Sequence, residues 1–398
     1  MPRFKKIFLS VLGVLVLLVL VLWLRKDTLM KKGAAQYFAD KEQASLDQPF
    51  RGIETPDGQI SDLFPIQSTG VSTEPVIAAA EHFINTLSED LRDKTMFPID
   101  DQEWRKWCNV DNGIYTRQGI SLKEMNVPQK EAAFSLLQAS LSAKGLQLSR
   151  DIMKTDQTLR EINDGSVDFD EELYFLTLMG TPSDTAAWGW QLDGHHLVIN
   201  YFVLGDQVVM TPTFMGAEPV FTTSGKYEGN TLFQDEQNEG LAFMRSLSAA
   251  QQQEASLLTE KIHNHNQTEA FRDNETIAYE GLPVSSLSGE TQSQLLDLIA
   301  QYVNNIREGH QQVKMEEVKA HLNDTWFAWV GGTDETSVFY YRIHSPVVLI
   351  EFDHQKAVGV PSETEGPTRN HIHTVVRTPN GNDYGKDLLR QHLEMHRH

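Results

Sequence analysis

Two histidines stand one residue apart in His371-Ile372-His373-Thr374-Val375-Val376-Arg377, a segment that alternates and is β-branched in its middle. Read as a strand, it puts His371, His373, Val375 and Arg377 on one face. Two imidazoles at that spacing can reach a single ion, and with a third imidazole or a carboxylate they make the usual ligand set of zinc, or of non-haem iron or copper. The chain offers such partners in two places. His195 and His196 follow Trp188-Gly189-Trp190-Gln191-Leu192-Asp193-Gly194, and strand alternation lets only one of them join a given site. Glu351 and Asp353 share a face in Ile350-Glu351-Phe352-Asp353-His354. The candidate metal ligands are therefore His195, His196, Glu351, Asp353, His371 and His373.

Other chemistry fits the same residues. The histidines would serve equally as hydrogen-bonded polar groups of a half-buried sheet. Arg377, on the face of the pair, suits an anionic ligand or a salt bridge to Glu351 or Asp353. With Trp188 and Trp190 as an apolar wall, it defines a candidate ligand site. His344 ends a strand just before Pro346, and His263-Asn264-His265 reads as a solvated loop. His392 and His396 are four apart on a last helix, beside a terminus that should fray.

These residues need elements to hold them. Amphipathic spacing predicts helices over residues 75–91, from an Asn126 cap with Pro128 in the first turn to Gly145, and over 149–162, 235–247, 249–263, 291–307 and 314–321. A closing helix begins near Tyr384. Strands are expected at 173–178, 187–192, 195–204, 207–210, 325–330, 338–343, 347–352 and 371–377, with Asp193-Gly194 and Gly205-Asp206 as hairpin turns. Runs of helices alternating with hairpins indicate an α+β fold with a mainly antiparallel sheet and flanking helices.

Composition narrows the function. The 398 residues are 40% hydrophobic and 22% charged, an ordinary globular balance. Lys and Arg total 34 against 55 Asp and Glu, a formal charge of −21, which repels a phosphate backbone and argues against a nucleic-acid partner. Cys108 is the only cysteine, so no intrachain disulfide and no thiolate cluster can form. Walker, Gly-x-Gly-x-x-Gly, Gly-x-Ser-x-Gly and His-Glu-x-x-His patterns are missing. Residues 7–24 are an unbroken apolar run with Arg3, Lys5 and Lys6 before it and Arg25 and Lys26 after it, which reads as an uncleaved membrane anchor over 1–24. Residues 25–74 are polar without a sustained period and read as a flexible tether, leaving 75–398 as one large domain. The expected placement is single-pass, with the bulk of the chain outside the cytoplasm, in the periplasm of a Gram-negative cell.

Trp188-Gly189-Trp190, Gly194-His195-His196-Leu197, Pro212-Thr213-Phe214-Met215-Gly216, His371-Ile372-His373 and Arg377-Thr378-Pro379-Asn380-Gly381-Asn382-Asp383-Tyr384-Gly385 together resemble the family of domain of unknown function 3500. The resemblance implies a grouping over most of the chain after the tether and no inherited activity. Three readings stand: a membrane-tethered metal-dependent enzyme, a binding protein for a small or anionic ligand, and a non-catalytic module at the membrane surface.

Overall fold

The computed structural model describes residues 26–60, 62–362 and 365–395. The run at 7–24 read as an anchor lies outside them, as does His396. No helix among the described residues is long and apolar enough to cross a membrane. In chain order the elements are α1 (Lys26–Leu46), α2 (Glu74–Thr86), α3 (Glu89–Thr95), β1 (Met96–Phe97), β2 (Ile120–Ser121), α4 (Val127–Ser140), α5 (Ala143–Ile162), β3 (Tyr174–Met179), β4 (Trp188–Gly194), β5 (Leu197–Leu204), β6 (Gln207–Val209) and β7 (Thr213–Ala217). Then come α6 (Gln234–Ser246), α7 (Ala249–Ala255), β8 (Ser256–Leu258), β9 (Leu282–Pro283), α8 (Gly289–Val303), α9 (His310–Ala320), β10 (Trp326–Gly331), β11 (Phe339–His344), β12 (Leu349–Lys356), β13 (Pro367–Arg377) and α10 (Lys386–Met395).

The strands form one sheet, in the order β1-β3-β4-β5-β7-β13-β12-β11-β10-β8. It is mainly antiparallel; β1 on β3 and β8 on β10 are parallel. Two meanders, β3 to β5 and β10 to β13, are joined through β7, which pairs with β5 on one side and β13 on the other. Helices cover one face over a core that includes Ile199, Met215, Ile350 and Ile372. The opposite face packs Trp104, Trp107, Val198, Phe214, Val375 and Tyr384. Because both faces are covered, β4 and β5 are buried at every position.

Local chemistry sets several boundaries. Asn126 accepts from Gln129 N while the Gln129 side chain accepts from Asn126 N, a capping box that starts α4 with Pro128 in its first turn. The helix stops at Ser140, short of the expected Gly145. That glycine instead sits in the first turn of α5, where a Cβ would run into the backbone of Asn305. The helix expected over 75–91 breaks at Leu87, and Ser88 begins α3 in extended geometry. The one expected over 249–263 ends at Ala255, because Ser256–Leu258 joins the sheet beside β10.

The stretch read as a tether differs most. Residues 26–46 are helical, and Arg105 donates to Ser45 O at 2.7 Å and Gln48 O at 3.0 Å to hold the end of α1 on the domain. Farther on, Glu54 N donates to Glu275 O and accepts at its own carbonyl from Ile277 N, while Ile53 and Phe64 are buried. These anchors lie far away in sequence, so no local period announces them.

Candidate metal centre

The register of the sheet builds the site. His373 on β13 lies opposite Gly216 on β7, and Gly216 N donates to His196 O at 2.8 Å, so His373, Gly216 and the turn residue His196 form one row. Gly216 carries no side chain between the two rings. A Cβ there would meet Ile372 O at 2.8 Å and the Cδ2 atoms of both His196 and His373 at 3.2 Å. His371 is two residues along β13 on the same face. The β4–β5 hairpin turns at His195-His196, since Gly194 already pairs with Leu197. That is two residues later than the Asp193-Gly194 turn expected from sequence. Gly194 is a strand residue that faces the Tyr174 ring without room for a Cβ. His196 takes positive φ (59°), which swings its ring toward β13, with the His195 ring stacked on it.

The result is three converging imidazoles. His371 Nε2 is 2.9 Å from His373 Nε2 and 3.2 Å from His196 Nε2. One ligand atom from each of the three lies within 4.8 Å of the others. The residues are 3%, 4% and 7% exposed for His196, His371 and His373, so water does little to separate the nitrogens.

The far side of two rings fixes their tautomers. His371 Nδ1 donates to Lys356 O at 2.6 Å, and a carbonyl can only accept, so this nitrogen carries the hydrogen. His373 Nδ1 donates to Glu269 Oε1 at 2.7 Å. Burial works against the Glu269 carboxylate, but the His373 ring beside it and Asn266 outweigh burial and hold it below its ordinary range. In their neutral forms both rings therefore aim bare lone pairs at each other across 2.9 Å. Burial, then the neighbouring His373, pushes His371 well below the usual imidazole range; burial, then His195 and the other two rings, does the same to His196. Each ring nitrogen has a single in-plane position, so one proton can serve only one of these contacts. A cation serves all three rings. Ligands about 2.0–2.1 Å from a tetrahedral zinc are separated by about 3.3 Å, close to the 2.9 and 3.2 Å of the two pairs that share His371.

The remaining candidates are held elsewhere. His195 Nδ1 donates to Asp156 Oδ1 at 2.5 Å, and the ring stacks on His196 with centroids 3.9 Å apart. Its Nδ1 is thus engaged outside the triad; the two residues form the turn and their rings stack, so the separation does not come from strand alternation. Glu351 is not a ligand: its carboxylate accepts from Gln267 N, Thr268 N, Thr268 Oγ1 and Tyr340 Oη. Asp353 faces His373 in register but pairs with Lys261 at 2.7 Å and accepts from His265 N and Gln355 Nε2. Both carboxylates pin the segment after β8, and that segment delivers Glu269 to His373.

Arg377 is not an anion contact. It is fully buried and bound to Asp273 and Asp383, with Thr268 O, Glu269 O and Arg272 O taking further donors. Its partners are thus not the Glu351 or Asp353 considered from sequence. Trp188 and Trp190 are core residues; Trp190 stacks on Tyr201 at 5.2 Å, and Trp188 Nε1 donates to Ser183 O. His344 is buried apart from the triad against Tyr279, with burial pushing its pKa down to about 3.

Sequence reasoning missed Glu269, Glu218 and the spacing role of Gly216. Glu218 lies 3.8 Å from His371 Nδ1 and accepts from the backbone of Val358 and Gly359. Nothing local distinguishes these carboxylates from the many others of an acidic chain.

A family model for proteins of unknown function, DUF3500, matches residues 69–386. The chain belongs to the DUF3500 family. No curated protein and no solved structure matches it. All three triad residues, Gly216 and Glu269 fall inside the DUF3500 match, whereas α1 and the apolar run before it lie outside.

Proposed function

We propose that this DUF3500 protein is a metal-dependent enzyme holding one divalent transition ion on His196, His371 and His373. The observation that carries the reading is the 2.9 Å approach of two Nε2 atoms whose Nδ1 partners both hold hydrogen. Three neutral imidazoles suit zinc first and copper next, while iron sites of this kind favour a carboxylate among the ligands. The neighbouring carboxylates Glu218 and Glu269 address the Nδ1 side, so the protein supplies three ligands and leaves a position for water or substrate. There the ion would polarise a bound oxygen and lower the pKa of a bound water. Glu269 and Lys356 O orient the rings, a role that outer partners of metal-bound histidines commonly play.

We further infer that residues 7–24 tether the protein to a membrane with the folded part outside the cytoplasm; the support is the apolar run and its basic flanks. A reporter active only in the cytoplasm, fused after His398, should be silent.

The metal reading is tested by elemental analysis of full-length protein purified without an affinity tag. About one equivalent of zinc or copper is expected, falling to background in His373→Ala. Added metal should raise the thermal midpoint of metal-stripped wild type by mass action and leave that variant unmoved. A wild type without bound metal and without a metal-dependent shift would end the proposal.

A further inference from the structure

We infer, resting on the metal reading of the triad, that His195 is a positioning residue for the third ligand: its ring holds the His196 ring by stacking, where the other two ligands are held by hydrogen bonds. A neutral imidazole that gives Nε2 to an ion carries its hydrogen on Nδ1, and an outer acceptor for that hydrogen ordinarily sets the angle of the ring. His371 and His373 have such acceptors in Lys356 O and Glu269 Oε1. His196 Nδ1 is buried and has no hydrogen-bond partner among the described residues. Backbone bonds to Asn109 and Gly216 hold the main chain of His196 in the turn between β4 and β5 but leave its ring angle open.

The rings around His196 supply what the hydrogen bond does not. It meets the rings of His371 and His373 edgewise, each with centroids 5.2 Å away and planes inclined at 67° and 66°. Against His195 it lies face to face, at 3.9 Å between centroids and 26° between planes. The His195 ring is itself fixed from two elements. Its Nδ1 donates to Asp156 Oδ1 at 2.5 Å, and Asp156 is fully buried on α5. From β3 the Tyr174 hydroxyl donates to Asp156 Oδ2 at 2.7 Å and lies 3.0 Å from His195 O. Phe169 packs beside the same imidazole at 5.6 Å. Helix α5 and strand β3 thus brace a flat ring against His196, and a stacked face resists tilting, which keeps His196 Nε2 directed at the other two Nε2 atoms.

The test separates the ring of His195 from its hydrogen bond, in full-length protein purified without an affinity tag. His195→Asn keeps a donor for Asp156 and removes the ring, whereas His195→Phe keeps a ring and removes the donor. Competition with a chromophoric chelator reads Zn2+ affinity, the EPR spectrum of Cu2+-loaded protein reads ligand geometry, and urea unfolding of the metal-free form reads the fold. His195→Asn should lower Zn2+ affinity by about 10–100-fold and alter the Cu2+ spectrum while unfolding at the wild-type midpoint. His195→Phe should keep the wild-type spectrum and an affinity within about threefold of wild type. Should either unfold early, His195→Ala replaces the first, and His195→Phe combined with Asp156→Asn, which strands no buried carboxylate, replaces the second. Wild-type affinity and spectrum in His195→Asn, or a loss in His195→Phe as large as that in His195→Asn, would overturn the positioning role and leave the triad standing. A wild type that binds neither Zn2+ nor Cu2+ would end the triad reading and this role with it.

Discussion

The carboxylate of Glu269 accepts from His373 Nδ1 at 2.7 Å, across 104 positions of sequence. The contact depends on Glu351, which binds the backbone nitrogens of Gln267 and Thr268, and on Arg377, which binds the carbonyls of Thr268 and Glu269. Two buried charges on β12 and β13 thereby fix the loop that orients His373.

Glu269→Gln should keep the fold and bind metal more weakly. Loss of an outer partner of a ligating histidine typically lowers metal affinity by about 10–100-fold. Competition with a chromophoric chelator measures this, and an unchanged affinity would remove Glu269 from the site.

Glu351→Ala should behave in the opposite order, failing first in stability. It leaves Tyr340 Oη and the Thr268 donors unpaired in a buried place, at a cost of about 3–5 kcal/mol. Urea unfolding of metal-free protein reads that cost directly. A variant as stable as wild type but unable to hold metal would mean that Glu351 is a ligand after all.

Gly216→Ala should disturb the triad through a single methyl. Its Cβ must push apart the rings of His196 and His373 or the carbonyl of Ile372, an overpacking worth roughly 1–3 kcal/mol. The expected result is a folded protein with metal content well below one equivalent.

Glu103 gives a pH-dependent outcome away from the site. It is 1% exposed with Lys106 at 3.5 Å, and burial pushes its carboxyl from 4.5 up to about 7. The folded state thus holds this proton more tightly than the unfolded chain, so the penalty is absent below pH 4.5, grows between 4.5 and 7, and is complete above that. Glu103→Gln should match wild type near pH 4.5 and exceed it by roughly 1–3 kcal/mol at pH 8. Equal stability at both values would remove the penalty from the account.

Sequence alone determined what short-range physics controls. Alternation placed His371 and His373 on one face, the capping chemistry of Asn126 and Gln129 started α4, and hairpin spacing announced the antiparallel sheet. Alternation also read the His195-His196 pair as offering one contributor, though the two residues form a turn in which alternation does not apply. Tertiary structure decided which one, because the choice rests on a hairpin turning two residues later than its Asp-Gly signal and on the positive φ of His196. It also decided the fate of the charges. Glu351, Asp353 and Arg377 were visible as a polar face, but a buried charge takes the partner that folding brings nearest, and here the partners came from residues 261–273. The helix at 26–46 and the row formed by His196, Gly216 and His373 follow the same logic, since contacts between distant segments leave no period in the chain.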